Sequence, residues 1–424
     1  MKKNYLILLL LCVMQLSLYG QNTIVIHPDN RVASIQLSAA DYDSFINDTY
    51  SLDKVTKSLY GTFKDDFDFI VLVLNEAVIP TTLNTAGTNT AVSNATTNIG
   101  RGAFNNGSYY GSTTGKLKSV LRLNRIDFIT NGPFLHELSH TWGQFLLPTK
   151  DFSNFGTDAT SVSTGSHWGV TGGSTKGQLG GFLQSSLVEL GNNTYTVGSF
   201  GGYANGGNGI PYNEMELYLM GMIPLSSVSN FDYFTDLSSF ISNGESVNRT
   251  YTFVAATRTT VTPALIASTY GVRSPDSNTS QKNFKALTVI VTQSPVTTAQ
   301  WDTVNQQAAN FSLAGSDGQA AYNFWEATNG IGTFETANIQ NSTLSIVEDQ
   351  LGEISIYPNP TADYVNIKTA EKIKTIELYS LLGQKIKISA ESNRVNLSSV
   401  PSGVYNLRLT TENNQIQTFK IVKK

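Results

Sequence analysis

The 424-residue sequence predicts a mixed α/β (α+β) domain over residues 21–340 and a small all-β sandwich over 353–424, joined by a linker at 341–352. Three observations carry this division. The charge balance changes near residue 350: 21–352 holds 16 Lys+Arg against 26 Asp+Glu, whereas 353–424 holds 10 against 6. Residues 67–74 form a nearly continuous apolar run, the pattern of a strand buried on both faces, amid segments of helical spacing. After 352, seven short alternating segments follow one another at 354–357, 365–368, 374–379, 385–388, 394–397, 403–410 and 417–422. Turn residues at 358–360, 382–384 and 401–403 separate them, as in a sandwich of short strands.

Composition narrows the function. Hydrophobic residues at 40% and charged residues at 14% describe a folding chain rather than a charge-swollen disordered one. A formal net charge of -4 excludes electrostatic capture of nucleic acid. The one cysteine, Cys12, excludes a disulfide framework and a cysteine-based zinc site. Residues 1–20 read as a secretory signal peptide: Lys2 and Lys3, then an apolar run at 5–11, then small residues up to Gly20. That run is too short to span a bilayer, so no transmembrane segment is expected in the mature chain.

Along the larger domain, 24–26 and 32–37 read as strands and 39–59 as a helix capped by Ser38. Residues 81–112 are polar and rich in Gly, Asn and Thr, so a long surface loop is expected. Residues 118–126 alternate as a strand. Residues 133–147 read as a helix opened by Pro133, capped by Gly132 or Asn131 and stopped by Pro148. Residues 153–209 read as loop, with fifteen glycines from Gly156 to Gly209. A short apolar helix at 212–221, strands at 251–255 and 284–292, and helices at 298–314 and 319–327 complete the domain.

The chemistry concentrates in the segment His136-Glu137-Leu138-Ser139-His140. On a helix, residues four apart share a face, so both imidazoles can reach one ion, while Glu137 sits one step round and can touch an ion-bound water. Phe134, Leu135, Leu138 and Trp142 make the same helix apolar on most sides, and two histidines and a glutamate buried there are costly unless they hold something. The arrangement predicts Zn2+ on His136 and His140 with Glu137 as general base. A third protein ligand is needed. His167, 27 residues beyond His140 in a glycine-rich stretch, and Glu216, on the short apolar helix, are the two candidates. Met220-Gly221 is a candidate floor for the site. His27 reads as the end of a surface strand, and Asp65, Asp66 and Asp68 as a solvated turn.

Two resemblances follow from these motifs. The helix at 133–142 resembles the zincin metallopeptidases, and the blocks at 133–142, 166–169 and 216–221 together resemble a group of bacterial zincin-like proteins. The metzincin pattern would place a histidine at 146, where this chain has Leu146. The likeness implies a zincin-like fold and a secreted zinc metallopeptidase acting on a protein or peptide substrate. The alternatives are a non-catalytic surface binding or adhesion protein with a structural zinc site, and a zinc hydrolase of a non-peptide bond. Separately, the motifs at 357–361, 377–384, 396–405 and 420–424 resemble the type IX secretion C-terminal sorting domain of Bacteroidetes. That likeness implies an address read by the outer-membrane translocon through residues 353–424, and export to the cell surface or beyond.

Overall fold

The computed structural model describes residues 22–143, 145–147, 167–172, 175–198, 208–243, 250–342, 354–369, 372–380, 384–391, 393–412 and 416–424. The expected signal peptide and almost all of the expected linker lie outside these residues. The chain divides into two compact units, Met1–Ser345 and Ile346–Lys424.

The larger unit is built on one mixed sheet. Strands β1 (Thr23–Ile26) and β2 (Val32–Gln36) pair antiparallel, then helices α1 (Ala39–Ile46) and α2 (Leu52–Tyr60) lead into β3 (Phe69–Leu74). Next come β4 (Gly87–Ala91), a small pair formed by β5 (Ser93–Asn94) and β6 (Phe104–Asn105), and β7 (Ser119–Leu123). Helix α3 (Phe134–Ser139) follows, then a hairpin of β8 (Val188–Gly191) and β9 (Thr194–Gly198), and helix α4 (Glu214–Met220). Strands β10 (Phe231–Asn243) and β11 (Thr250–Val261), helix α5 (Pro263–Tyr270), β12 (Asn283–Thr292), helices α6 (Thr298–Phe311) and α7 (Phe324–Ala327) and strand β13 (Thr333–Glu335) finish the unit.

The sheet order is β1-β2-β12-β3-β7-β4, with β13 on the end of β12. Strand β12 runs parallel to both β2 and β3, and β3 parallel to β7, while β1 and β4 are antiparallel edges. Every residue of β3 is buried, because both faces are covered. Period-two alternation sorts its side chains. Ile70, Leu72 and Leu74 face a core shared with Tyr42, Phe45, Val55 and Leu59 of α1 and α2. Phe69, Val71 and Val73 face the opposite core, shared with Phe134 and Leu138 of α3, Leu217 and Leu219 of α4, and Val304 and Phe311 of α6. The second core carries the candidate site. A separate antiparallel sheet, β10-β11-β9-β8, packs its own aromatic cluster of Tyr195, Phe234 and Phe253.

Several expectations need correction. The helix expected over 39–59 is two helices. Asn47, Asp48 and Thr49 interrupt it, with Asp48 at φ 58, since short polar side chains compete for the backbone and tolerate the left-handed region. The loop expected over 81–112 contains the edge strand β4. The glycine-rich 153–209 is loop only in part, because β8 and β9 turn tightly at Asn192 and Asn193, both with positive φ, as a two-residue hairpin requires. Residues 153–166 lie outside the described set. The helix expected over 319–327 is the single turn of α7.

The smaller unit holds two four-stranded antiparallel sheets. One has the order β14 (Ser355–Tyr357), β15 (Tyr364–Lys368), β19 (Arg394–Asn396), β18 (Ser389–Glu391). The other has the order β17 (Lys385–Ile386), β16 (Ile373–Ser380), β20 (Gly403–Thr411), β21 (Ile416–Lys423). Val365 and Val395 from one sheet meet Leu378, Leu407 and Ile421 from the other in a common core. Strand β18 is the one the sequence pattern did not show.

Candidate metal centre

Helix α3 has six residues, not the fifteen its apolar pattern suggested. The reason is local. The Glu137 carbonyl accepts from Asn89 Nδ2 at 2.6 Å, and the Thr141 N–H turns to Leu138 instead. The chain beyond Ser139 therefore tightens, and His140 caps the helix with its backbone still in the right-handed region. Two further hydrogen bonds and a ring stack hold α3 in place. Asn208 Oδ1 accepts from the Leu135 N–H at 3.1 Å, and Tyr212 Oη donates to the Leu135 carbonyl at 2.8 Å. The Phe134 ring stacks on Phe311 with centroids 4.2 Å apart.

His136, His140 and His167 converge. His136 Nε2 lies 3.1 Å from His140 Nε2 and 3.0 Å from His167 Nε2, and one ligand atom of each residue lies within 4.8 Å of the others. His167 is brought there by its neighbour Trp168, which is fully buried. The Trp168 N–H donates to the Leu179 carbonyl at 2.8 Å and its indole N–H to the Leu146 carbonyl at 2.9 Å. The ring of His136 is fixed by Nδ1, whose N–H donates to the Gln178 carbonyl at 2.7 Å. That bond puts the lone pair on Nε2, aimed at the other two rings. Burial, and then the nearby His140 and His167, hold the His136 pKa well below the usual imidazole range. Three imidazoles directing nitrogens at one point form a donor set for a cation.

Glu137 is buried beside them and lines the same cleft of about 870 Å³. Burial pushes its carboxyl up to about 8, against a smaller opposing pull from Arg122. Its side chain lies against Gly87 of β4, where an added Cβ would stand 2.9 Å from Glu137 Cγ and 2.9 Å from the Arg122 carbonyl oxygen.

Glu216, the other candidate third ligand, is placed elsewhere. Its Oε1 accepts from the Leu179 N–H at 2.7 Å and its Oε2 from the Asn213 N–H at 3.0 Å, closing the capping box of α4. Both oxygens are thus spent on backbone donors, and the three-histidine group does not include it. Burial raises its pKa to about 7, and those N–H groups oppose the rise. Met220 packs in the core, and Gly221 ends α4 at φ 81. His27 is also apart: it packs on the Trp301 ring, and its Nδ1 accepts from the Asp29 N–H. Asp65 accepts from Thr113 and Thr114, Asp66 pairs with Lys116 and Lys285, and Asp68 is buried, accepting from the Lys285 N–H; together they tie a turn to the sheet.

Sequence reasoning missed Gln178 and Asn89. One acts through a main-chain carbonyl, which no residue type announces, and the other lies in a stretch that read as loop.

Comparison with known proteins adds two findings. Residues 355–424 match the secretion system C-terminal sorting domain family. The chain therefore carries a type IX sorting domain and is secreted by that system, with its last unit addressed to the secretion machinery. Among the described residues no helix is long and apolar enough to cross a membrane. The chain is also similar to an ulvan lyase of Nonlabens ulvanivorans, 29% identical over 90 residues, which is 20% of this chain and 17% of that protein. The chain thus spans about a sixth of the length of the relative it matches. This finding corrects the expected function and enzyme class. The similar protein is a lyase and not a zinc metallopeptidase.

Proposed function

We propose that the protein is an exported metal-dependent enzyme acting on an extracellular polysaccharide, by elimination rather than hydrolysis of a peptide bond. One observation supports the metal: three imidazole nitrogens meet beside a buried carboxyl at the wall of an open cleft. The substrate class is taken from the similarity to an ulvan lyase.

His136, His140 and His167 would hold a zinc-class divalent cation, since three neutral nitrogen donors suit it and leave a position open. When bound, such an ion supplies a Lewis acid for a sugar carboxylate. Gln178 keeps His136 in the ligating tautomer. In its ionised form, Glu137 takes the proton from the carbon next to that carboxylate. The electron pair left behind forms the new C=C bond as the glycosidic C–O bond breaks, and Glu137 returns the proton to the departing oxygen.

The test uses the full chain with stoichiometric Zn2+ on polygalacturonate, alginate, ulvan and dextran, reading the ultraviolet absorbance of an unsaturated product. The expected result is a chelator-sensitive rise on an acidic polymer, reduced by about two orders of magnitude or more in Glu137→Gln. No rise on any acidic polymer, or a rise that survives the chelator, overturns the reading.

A further inference from the structure

We propose that Arg101 is the anion anchor of the cleft, a binding residue that receives a carboxylate or sulfate group of the substrate and so determines specificity. The inference rests on the reading of the cleft as a polysaccharide site and deepens it.

Arg101 lines the same cleft as His136, Glu137, His140 and His167. Its guanidinium carbon sits 4.3 Å from the Phe104 ring centroid and 4.7 Å from the Phe145 ring centroid. Stacking on rings occupies the faces of the guanidinium and leaves its N–H edge for a planar anion. The neighbouring backbone holds it there. Gly100 has φ 76, and a Cβ on it would stand 1.8 Å from the Phe145 carbonyl oxygen, so the two segments touch main chain to main chain.

The other described arginines of this unit are committed. Arg31 donates to Ser312 and Thr336, Arg122 to Asp48, Arg125 to Asp127, Arg258 to Asp232, and Arg273 to carbonyls at the end of α4. Arg101 has no hydrogen bond or ion pair among the described residues. It does not serve Glu137 either, whose charge partner is Arg122. Half burial already lowers the Arg101 pKa, as expected of a cation held partly out of water without a counter-ion. A guanidinium so placed gains most from a ligand anion, through short paired N–H···O bonds.

The experiment measures binding apart from turnover, by calorimetry on the full chain carrying Glu137→Gln so that the probes survive. The probes are polygalacturonate oligomers for carboxylate, dextran sulfate for sulfate ester, and dextran as the neutral polymer. Arg101→Met keeps the apolar stem against the rings, and Arg101→Lys keeps the charge without the fork. The expected result is that one anionic probe binds the parent and loses about tenfold or more in Arg101→Met. Dextran affinity stays unchanged, and Arg101→Lys recovers part of the loss. Which probe responds identifies the anion. Equal affinity of parent and Arg101→Met for both anionic probes overturns the proposal, as does a parent that binds neither. Arg101-dependent binding without turnover in the unsubstituted chain sinks only the catalytic reading. Turnover with Arg101-independent affinity sinks only this inference.

Discussion

The Nδ1–H of His136 donates to the main-chain carbonyl of Gln178 at 2.7 Å, and the next residue's N–H, that of Leu179, donates to Glu216 at 2.7 Å. A buried glutamate on α4 thus sets the loop that sets the imidazole on α3. Glu216 supports the three-histidine group from behind instead of joining it.

Glu216→Ala should therefore weaken metal binding indirectly. Partners that orient a ligand are worth about 10- to 100-fold in affinity. The substitution also leaves the buried Leu179 N–H without its Glu216 acceptor, at about 1–3 kcal/mol. A zinc titration paired with a urea melt should show both losses. Unchanged affinity would remove Glu216 from this chain of contacts.

Gly87→Ala should damage the carboxyl and spare the metal. The new Cβ would meet Glu137 Cγ and the Arg122 carbonyl oxygen, both at 2.9 Å, and one of those contacts is unyielding backbone. Overpacking of this kind costs about 1–3 kcal/mol. Zinc stoichiometry should hold, and turnover should fall because Glu137 is displaced.

Much of this was readable from sequence, and the failures have causes. The pair His136 and His140, four apart on a buried helix, forecast their own convergence. His167 offered only the weak signal of a third imidazole in a chain with four histidines, and it is Trp168, fully buried, that draws it in. Apolar spacing overstates the helix, because it continues to Leu146 while α3 ends at Ser139. Asn89 takes the Glu137 carbonyl, a tertiary contact no local pattern encodes. The segment of β4 reads as loop because Gly87, Asn89 and two threonines give no apolar alternation on an edge strand that lines the cleft.

Asp66 should make stability depend on acid pH. Bonds from Lys116 and Lys285 hold its carboxyl down, to about 2, against an ordinary value of 3.8. A depressed pKa stabilises the fold above the ordinary value, and the contribution is lost as pH falls from near 4 through about 2. Its side chain is 46% exposed, so solvent screening limits the effect to about 0.5–1 kcal/mol. Urea midpoints of Asp66→Asn and the parent should differ at pH 6 and coincide near pH 2.

Removing residues 346–424 should stop export without disturbing the histidines, because the two units are separately compact and the sorting domain lies wholly in the second. In a host with type IX secretion the shortened chain should stay in the periplasm. Its appearance in the medium would detach export from this unit.

The most direct test of the account is a competitive zinc titration of the full chain beside His167→Ala. The arrangement of His136, His140 and His167 predicts one ion per chain, and a loss of affinity in His167→Ala well beyond the roughly 100-fold ceiling expected for a supporting residue such as Glu216. A parent that takes up no stoichiometric metal, or a His167→Ala chain that binds zinc as tightly as the parent, would contradict it.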